Sequence, residues 1–99
     1  MSRDLVVQVE QIRGQCPVYR PGDRMTFLEG YRLDVAGTDA LCSHAMASLS
    51  PWLAALSKGV PPSQLGLATD DGTDAFVHCP DPGSQWTGGG TVVFRIRVG

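Results

Sequence analysis

The strongest fold signal in the chain is the segment VVFRIRV at residues 92–98. Apolar residues stand at every second position, which is typical of a strand that buries one face. The segment LVVQV at residues 5–9 has the same alternation. We therefore predict that these two strands pair within one sheet, although they come from opposite ends of the chain. Glu10 would then face Arg95 across the ladder.

Three shorter strands are predicted at residues 25–28, 31–35 and 75–79, each bounded by turn-forming glycine, proline or aspartate. The connections between predicted neighbours are too short for parallel crossovers. The sheet is therefore expected to be mainly antiparallel.

The only convincing helical pattern lies between residues 39 and 58. Thr38 or Asp39 is the expected N-cap, and Gly59 is the expected C-terminal stop. Pro51 interrupts the pattern, so the segment forms either one kinked helix or two short helices. Because serine followed by proline suits an N-cap and a first helical position, we favour two helices.

These elements predict an α+β fold, with a small antiparallel sheet of four to five strands packed against the helical segment. From the length of 99 residues we expect a single domain, residues 1–99. A hydrophobic fraction of 42% and a charged fraction of 18% exclude a disordered tail or a coiled coil. A net charge of −2 with no basic run argues against nucleic acid as a partner.

The N-terminal residues lead directly into the first predicted strand, without an apolar signal region. No apolar stretch approaches the ~18 residues that a membrane helix needs. We therefore expect a cytoplasmic protein with no membrane partner. Its cysteines are then expected to be reduced thiols. The sequence does not decide between a monomer and a homo-oligomer.

Three cysteines, Cys16, Cys42 and Cys79, carry the main functional signal. Each falls at the predicted end of a strand or start of a helix, where side chains from different elements can meet. Thiolates suit zinc, iron or copper(I), so the three predict a site for a thiophilic metal. Zn–S bonds of ~2.3 Å would place the sulfurs within about 4 Å of one another. The alternative is that the cysteines only pack in the core as small apolar side chains.

A second interpretation is a small tailoring or accessory enzyme of a biosynthetic pathway, acting on a small-molecule ligand. Cys42 would act as a nucleophile near a helix N-terminus, or His44 as an acid or base. While both residues are helical, two positions correspond to about 200°, so their side chains are expected to diverge. Whether the protein is an enzyme stays open. A third interpretation is a non-catalytic binding module that uses the Trp86 loop with Arg95 and Arg97.

The ordered motifs Gly14-x-Cys16-Pro17-x-Tyr19-x-x-Gly22-Asp23, Leu41-Cys42-x-His44-Ala45 and Cys79-Pro80-Asp81-Pro82 span most of the chain. Together they resemble a family of small, mostly uncharacterised bacterial and archaeal proteins. That family is marked by Cys-Pro with a following Gly-Asp, by Cys-x-x-Ala and by Cys-Pro-Asp-Pro. The resemblance implies that the three cysteines belong to the family pattern, which favours a shared site. It implies no particular reaction.

Overall fold

A five-stranded antiparallel sheet and one helix make up the regular structure of the described residues. The computed structural model describes residues 3–69, 72–82 and 85–99. The sheet order is β3-β2-β1-β5-β4, and every neighbouring pair is antiparallel. The predicted α+β class is confirmed. The elements are β1 (Leu5–Arg13), β2 (Arg24–Leu28), β3 (Arg32–Asp34), α1 (Ser43–Ser57), β4 (Ala75–His78) and β5 (Thr91–Val98), with short 3-10 turns at Val35–Gly37 and Pro62–Leu65.

The central pair of strands, β1 and β5, confirms the predicted pairing of the two terminal segments. Leu5 lies opposite Val98, and the register then shifts between Val9 and Gln11. The residue between them, Glu10, accepts a hydrogen bond from the Arg95 guanidinium at 3.0 Å. A local bulge of this kind adds one residue to a strand and turns its side chain. Here it leaves Glu10 on the solvent side, within reach of Arg95.

The core lies between one face of the sheet and the buried face of α1. Leu49 and Leu56 of the helix are 0% exposed, as is Phe94 at the centre of β5. Fully burying an apolar side chain of this size contributes roughly 1.5–3 kcal/mol to folding. Alternate positions along β1 and β5 supply most of the sheet side of this core, as the sequence pattern predicts. They are Leu5, Val7, Val9, Val92, Phe94 and Ile96.

The helix begins later than the sequence pattern predicts. Its N-cap is Cys42, and the predicted N-caps Thr38 and Asp39 lie outside the helix. Both side chains instead accept hydrogen bonds from β2: Thr38 Oγ1 from the Thr26 N–H at 3.2 Å, and Asp39 Oδ2 from the Arg24 N–H at 2.9 Å. Short polar side chains satisfy whichever nearby backbone donors are unpaired. At this position the unpaired donors belong to the sheet.

The helical segment is one continuous helix, so the preference for two helices is wrong. Pro51 lies inside α1. Leu49 precedes it and Leu53 follows it, and both are buried on the same face of the helix. Burial of both halves against one sheet favours a continuous helix over a break at the proline. At the other end, Gly59 follows the C-cap residue with a left-handed φ of 89°, as expected for a glycine stop.

In the described part of the chain, no helix combines the length and the apolar character needed to cross a membrane.

Candidate functional site

One cavity brings together the three cysteines that the sequence marks as the candidate site. It has a volume of about 260 Å³, and Cys16, Cys42 and Cys79 all contribute to its wall. The three residues come from the segment after β1, the start of α1 and the end of β4. Each is partly buried, and none forms a disulfide. The cavity therefore lies where these three parts of the chain meet.

Cys16 lies in a turn that is held against the sheet. Its sulfur accepts a hydrogen bond from the Tyr19 N–H at 3.4 Å. Farther along the turn, Gly22 has a φ of 90°, which favours glycine, and its N–H donates to the Val9 carbonyl at 3.0 Å. The Asp23 carbonyl accepts the Val9 N–H at 2.8 Å. These bonds fix the turn on β1 and direct the Cys16 thiol toward its own turn.

Cys79 follows β4 directly and is held by the first residues of β5. Its backbone N–H donates to the Val92 carbonyl at 2.9 Å. Its sulfur accepts the Val92 N–H at 3.1 Å, and the S–H group donates to the Gly90 carbonyl at 3.6 Å. A backbone N–H directed at sulfur stabilises negative charge there, as hydrogen bonds to sulfur do in metal–thiolate centres.

Cys42 is placed by a phenol that sequence reasoning did not assign to the site. The Cys42 N–H donates to Tyr19 Oη at 2.9 Å, and Tyr19 is 4% exposed. The phenol hydrogen is directed at the sulfur of Met25, 3.2 Å away, and the Tyr19 ring meets Phe94 edge to face at 5.5 Å. The only sequence signal for a role of Tyr19 in the site is its position three residues after Cys16, in Cys-Pro-x-Tyr. Its contact with Cys42 joins residues that are distant in sequence, so no local pattern predicts it.

Burial is the largest cause that raises the pKa of the Tyr19 phenol above the usual tyrosine value. The hydrogen bond from the Cys42 N–H acts in the opposite direction. Negative charge on Cys42, Cys16 or Asp23 would raise the pKa further. The phenol is therefore neutral at physiological pH, and it can accept from Cys42 while donating to Met25.

His44 lines the same cavity as Cys42, although the two side chains were expected to diverge. The expectation assumed that both residues are helical. Cys42 is the N-cap, with extended backbone angles of φ −106° and ψ 132°, so helical spacing does not apply across this pair. The exposed His44 side chain, in the first turn of α1, can therefore serve the same site as the Cys42 thiol.

The second histidine, His78, does not line this cavity. It lies beside a neighbouring groove with Arg13 and Thr91, and its Nδ1 donates to the Cys79 carbonyl at 2.8 Å. It precedes Cys79 in the chain, and the two side chains of such a pair in extended backbone point to opposite sides.

The glycine-rich segment beyond Pro82 closes one side of the cavity, which Thr87, Gly89 and Gly90 help to line. The Asp81 carboxylate accepts hydrogen bonds from the hydroxyls of Thr87 and Thr91. Asp81 therefore ties this segment to the start of β5. Residues 83 and 84 lie outside the described residues.

The donor atoms of the site are not gathered around one point. In residues 3–69, 72–82 and 85–99 no group of three or more His, Cys, Asp or Glu side chains is placed to hold a metal ion. Cys16, Cys42, Cys79 and His44 all line the cavity, and the Cys16 and Cys79 sulfurs make the separate hydrogen bonds described above.

Arg95 and Arg97, which were expected to form a binding surface, both contact other side chains of this chain. Arg95 pairs with Glu10 at 3.0 Å, lies 3.8 Å from the Asp74 carboxylate and stacks over the Phe76 ring at 5.3 Å. Arg97 lies 3.7 Å from the same carboxylate. Trp86 is 72% exposed and is the part of the expected surface most open to solvent.

Comparison with protein-family models, with curated proteins and with solved structures finds no match for this chain. The resemblance carried by the cysteine motifs therefore stays a prediction from sequence.

Proposed function

We propose that this protein binds a thiophilic metal ion, either zinc, iron or copper, through Cys16, Cys42 and Cys79. The observation that carries the proposal is that three cysteines from three separate parts of the chain line one cavity. Core packing alone does not require that arrangement. Thiolate sulfur is a preferred ligand for zinc, iron–sulfur clusters and copper(I).

The contacts around two of the sulfurs suit a thiolate. Cys16 and Cys79 each accept a backbone N–H, at 3.4 Å and 3.1 Å. Such donors remain available when a thiol loses its proton, because they approach the lone pairs of the sulfur. By contrast, the S–H donated by Cys79 to Gly90 would be lost when a metal replaces the proton.

The site would form on metal binding, by rotation of side chains around a cavity that already exists. A change between staggered χ1 positions moves a sulfur without moving the backbone. A sulfur that moves in this way gives up the N–H donor that it now has, so only a cysteine that keeps its χ1 position keeps that donor. The Cys42 N–H donates to Tyr19 Oη and the Cys79 N–H donates to the Val92 carbonyl, so these two cysteines lie on backbone that is held in place. Metal binding to such a site stabilises the fold, because the unfolded chain lacks the arranged ligands.

Metal analysis of protein purified without oxygen tests this proposal. We expect about one metal ion per chain in the wild type, and a content near zero in the triple variant with serine at positions 16, 42 and 79. Circular dichroism checks that the variant is folded. If the variant does not fold, removing and restoring metal in the wild type replaces it, with restored binding as the expected result. A wild-type metal content near zero that added zinc, iron or copper(I) does not raise would overturn the proposal.

A second candidate function is an enzyme that uses Cys42 as nucleophile and His44 as base. It is favoured by one observation, that both residues line the same mostly apolar cavity. A nucleophile and a base that share a pocket are the minimum that such chemistry needs. Alkylation of the metal-free protein tests it: Cys42 is expected to react with iodoacetamide faster than free cysteine at neutral pH. A rate no faster than that of free cysteine would rule this candidate out.

A further inference from the structure

We infer that the groove beside the cysteine cavity is a second site, which binds a small anion that also carries hydroxyl groups. The groove has a volume of about 540 Å³, and Arg13, His78, Asp81 and Thr91 all line it. Small-molecule sites usually have volumes of about 300–1,000 Å³. The site is independent of the proposed metal centre, because its lining, as far as the structure describes the chain, includes none of the three cysteines.

The sheet register places the groove on the face that the helix leaves open. Arg13 lies opposite Thr91 in the β1–β5 pair, and His78 lies opposite Val93 in the β4–β5 pair. Thr91 and Val93 point to the same side of β5, and Val92 between them is buried in the core on the other side. Because β5 lies between β1 and β4, Arg13 and His78 stand on the order of 10 Å apart across the groove.

Arg13 supplies a positive charge that the rest of the fold does not use. Its guanidinium forms no ion pair within the described residues, whereas Arg95 and Arg97 on the same sheet face both lie within 4 Å of the Asp74 carboxylate. The planar guanidinium offers N–H donors in a geometry that matches a carboxylate or a phosphate. An arginine that lines a groove without a carboxylate partner therefore favours an anionic ligand.

The other polar side chains of the groove accept hydrogen bonds. His78 Nδ1 donates to the Cys79 carbonyl at 2.8 Å, so in the neutral ring Nε2 carries a lone pair. The Thr91 hydroxyl donates to the Asp81 carboxylate at 3.2 Å, which leaves the Thr91 oxygen as an acceptor. The Asp81 carboxylate itself only accepts. Such acceptors pair with hydroxyl groups, and the Asp81 charge disfavours a second anionic group nearby.

This distribution of donors and acceptors indicates the class of ligand. One anionic group would lie at Arg13, and hydroxyl groups would lie toward His78 and Asp81. A simple anion would use only the guanidinium, and a neutral sugar would use only the acceptors, so both should bind more weakly. Sugar phosphates and sugar acids share the required chemistry and differ in the anionic group.

Glucose 6-phosphate and gluconate probe these two kinds of ligand, and glucose and acetate are the controls with only hydroxyl groups or only charge. Binding to the full-length, metal-free protein is followed by the ¹⁵N chemical shifts of backbone amides at constant ionic strength. We expect at least one probe to shift the signals of Arg13, His78 and Thr91 to saturation, at concentrations where glucose and acetate leave them unchanged. The probe that binds more tightly identifies the anionic group.

Two exposed arginines at strand ends supply a matched pair of variants. Arg13→Gln removes the proposed anion contact, and Arg24→Gln removes a charge from the same sheet face outside the groove. We expect Arg13→Gln to weaken binding of the probe at least tenfold, because charge-assisted hydrogen bonds are the strong ones. Arg24→Gln should keep the wild-type affinity. His78→Ala should weaken binding about fivefold, because it removes one neutral hydrogen bond.

Three results would overturn this assignment, and none of them bears on metal binding by the cysteines. The absence of a saturable shift at the groove with both probes would show that it is not a site for this class of ligand. Equal losses in Arg13→Gln and Arg24→Gln would mean that the probe responds only to the general charge of the protein. Binding of acetate or glucose as tight as that of the probes would mean that the groove does not recognise charge and hydroxyl groups together.

Discussion

The phenol oxygen of Tyr19 accepts the backbone N–H of Cys42 at 2.9 Å, while the backbone N–H of Tyr19 donates to the Cys16 thiol at 3.4 Å. One residue thus contacts two of the three candidate ligands. It does so from a buried position, with its ring against Phe94. The relative placement of the Cys16 turn and the start of α1 therefore depends on Tyr19.

Replacing Tyr19 by phenylalanine tests this dependence with little change in packing. The ring and its contact with Phe94 are kept, but the Cys42 N–H loses its acceptor. An unsatisfied backbone donor costs about 1–3 kcal/mol, so the free energy of unfolding in urea should fall by that amount. Tyr31→Phe is the control, since Tyr31 is 63% exposed and its hydroxyl should contribute little. Equal stability of the two variants would show that the Tyr19 hydroxyl does not hold the helix start.

The raised pKa of Tyr19 predicts a loss of stability at alkaline pH. In the unfolded chain the phenol ionises near its ordinary pKa of about 10. In the folded chain, burial keeps the Tyr19 phenol protonated to higher pH. Above about pH 10 the folded state therefore binds more protons than the unfolded state. Stability from this source is fully present below about pH 10 and declines as the pH rises through the folded pKa.

Urea unfolding between pH 8 and pH 11 measures this decline. Subtracting the Tyr19→Phe curve from the wild-type curve removes the contributions of the cysteines and of Tyr31. The difference should be flat up to about pH 10 and fall above it. A difference that stays flat, or rises, would contradict the assignment of the raised pKa to burial of this phenol.

The sheet was predictable because its signals are local and repeat along the chain. The alternation of apolar and polar residues at 5–9 and 92–98 predicted the two central strands. Each strand has an apolar face to bury, which favours their pairing in one sheet, as observed. The start of α1 was not predictable in the same way. Thr38 and Asp39 are good N-caps in isolation, yet both bond to β2, a partner that only the tertiary fold supplies.

The sequence predicted which cysteines belong to the candidate site, but it did not predict the residues that hold them in place. Thiols at the ends of elements marked Cys16, Cys42 and Cys79 without knowledge of the fold. Tyr19 is part of the first motif but was given no role, because its hydroxyl contacts a residue 23 positions away. His44 was a candidate acid or base, but its expected divergence from Cys42 assumed that both residues are helical, whereas the helix begins at Ser43. The sequence pattern does not show a long-range contact, and it does not place a helix boundary to within one residue.

Pro51 should destabilise α1, and replacing it should raise stability. Proline lacks the N–H that would bond to the carbonyl four residues earlier, and its ring crowds that carbonyl. Pro51 is exposed inside a continuous helix. Pro51→Ala is therefore expected to raise the free energy of unfolding by about 1–3 kcal/mol, with Ser50→Ala as the control. Thermal unfolding measures both; a lower melting temperature for Pro51→Ala would mean that the proline is needed for the packing of this helix.

Gly90 is predicted to be required for closure of the cavity. A Cβ at this position would lie 2.7 Å from the Arg13 carbonyl oxygen and 2.8 Å from the Gln15 backbone nitrogen. Both are backbone atoms that cannot rotate away. Gly90→Ala should therefore push the start of β5 from the Cys16 segment, lowering stability by about 1–3 kcal/mol, as overpacking does. It should also weaken metal binding, because Gly90 lines the same cavity as the three cysteines.

The nearby Gly88 makes the control for Gly90→Ala. Among the described residues no heavy atom comes within 4 Å of a Cβ built at Gly88, so Gly88→Ala adds the same methyl group to the same segment without a clash. Its entropic effect on the unfolded chain is the same as that of Gly90→Ala. The difference between the two melting temperatures therefore isolates the close approach at Gly90, and about 4–8 °C is expected for each kcal/mol. Equal melting temperatures and equal metal affinities would mean that the glycine-rich segment can move away from the Cys16 turn without disturbing the cavity.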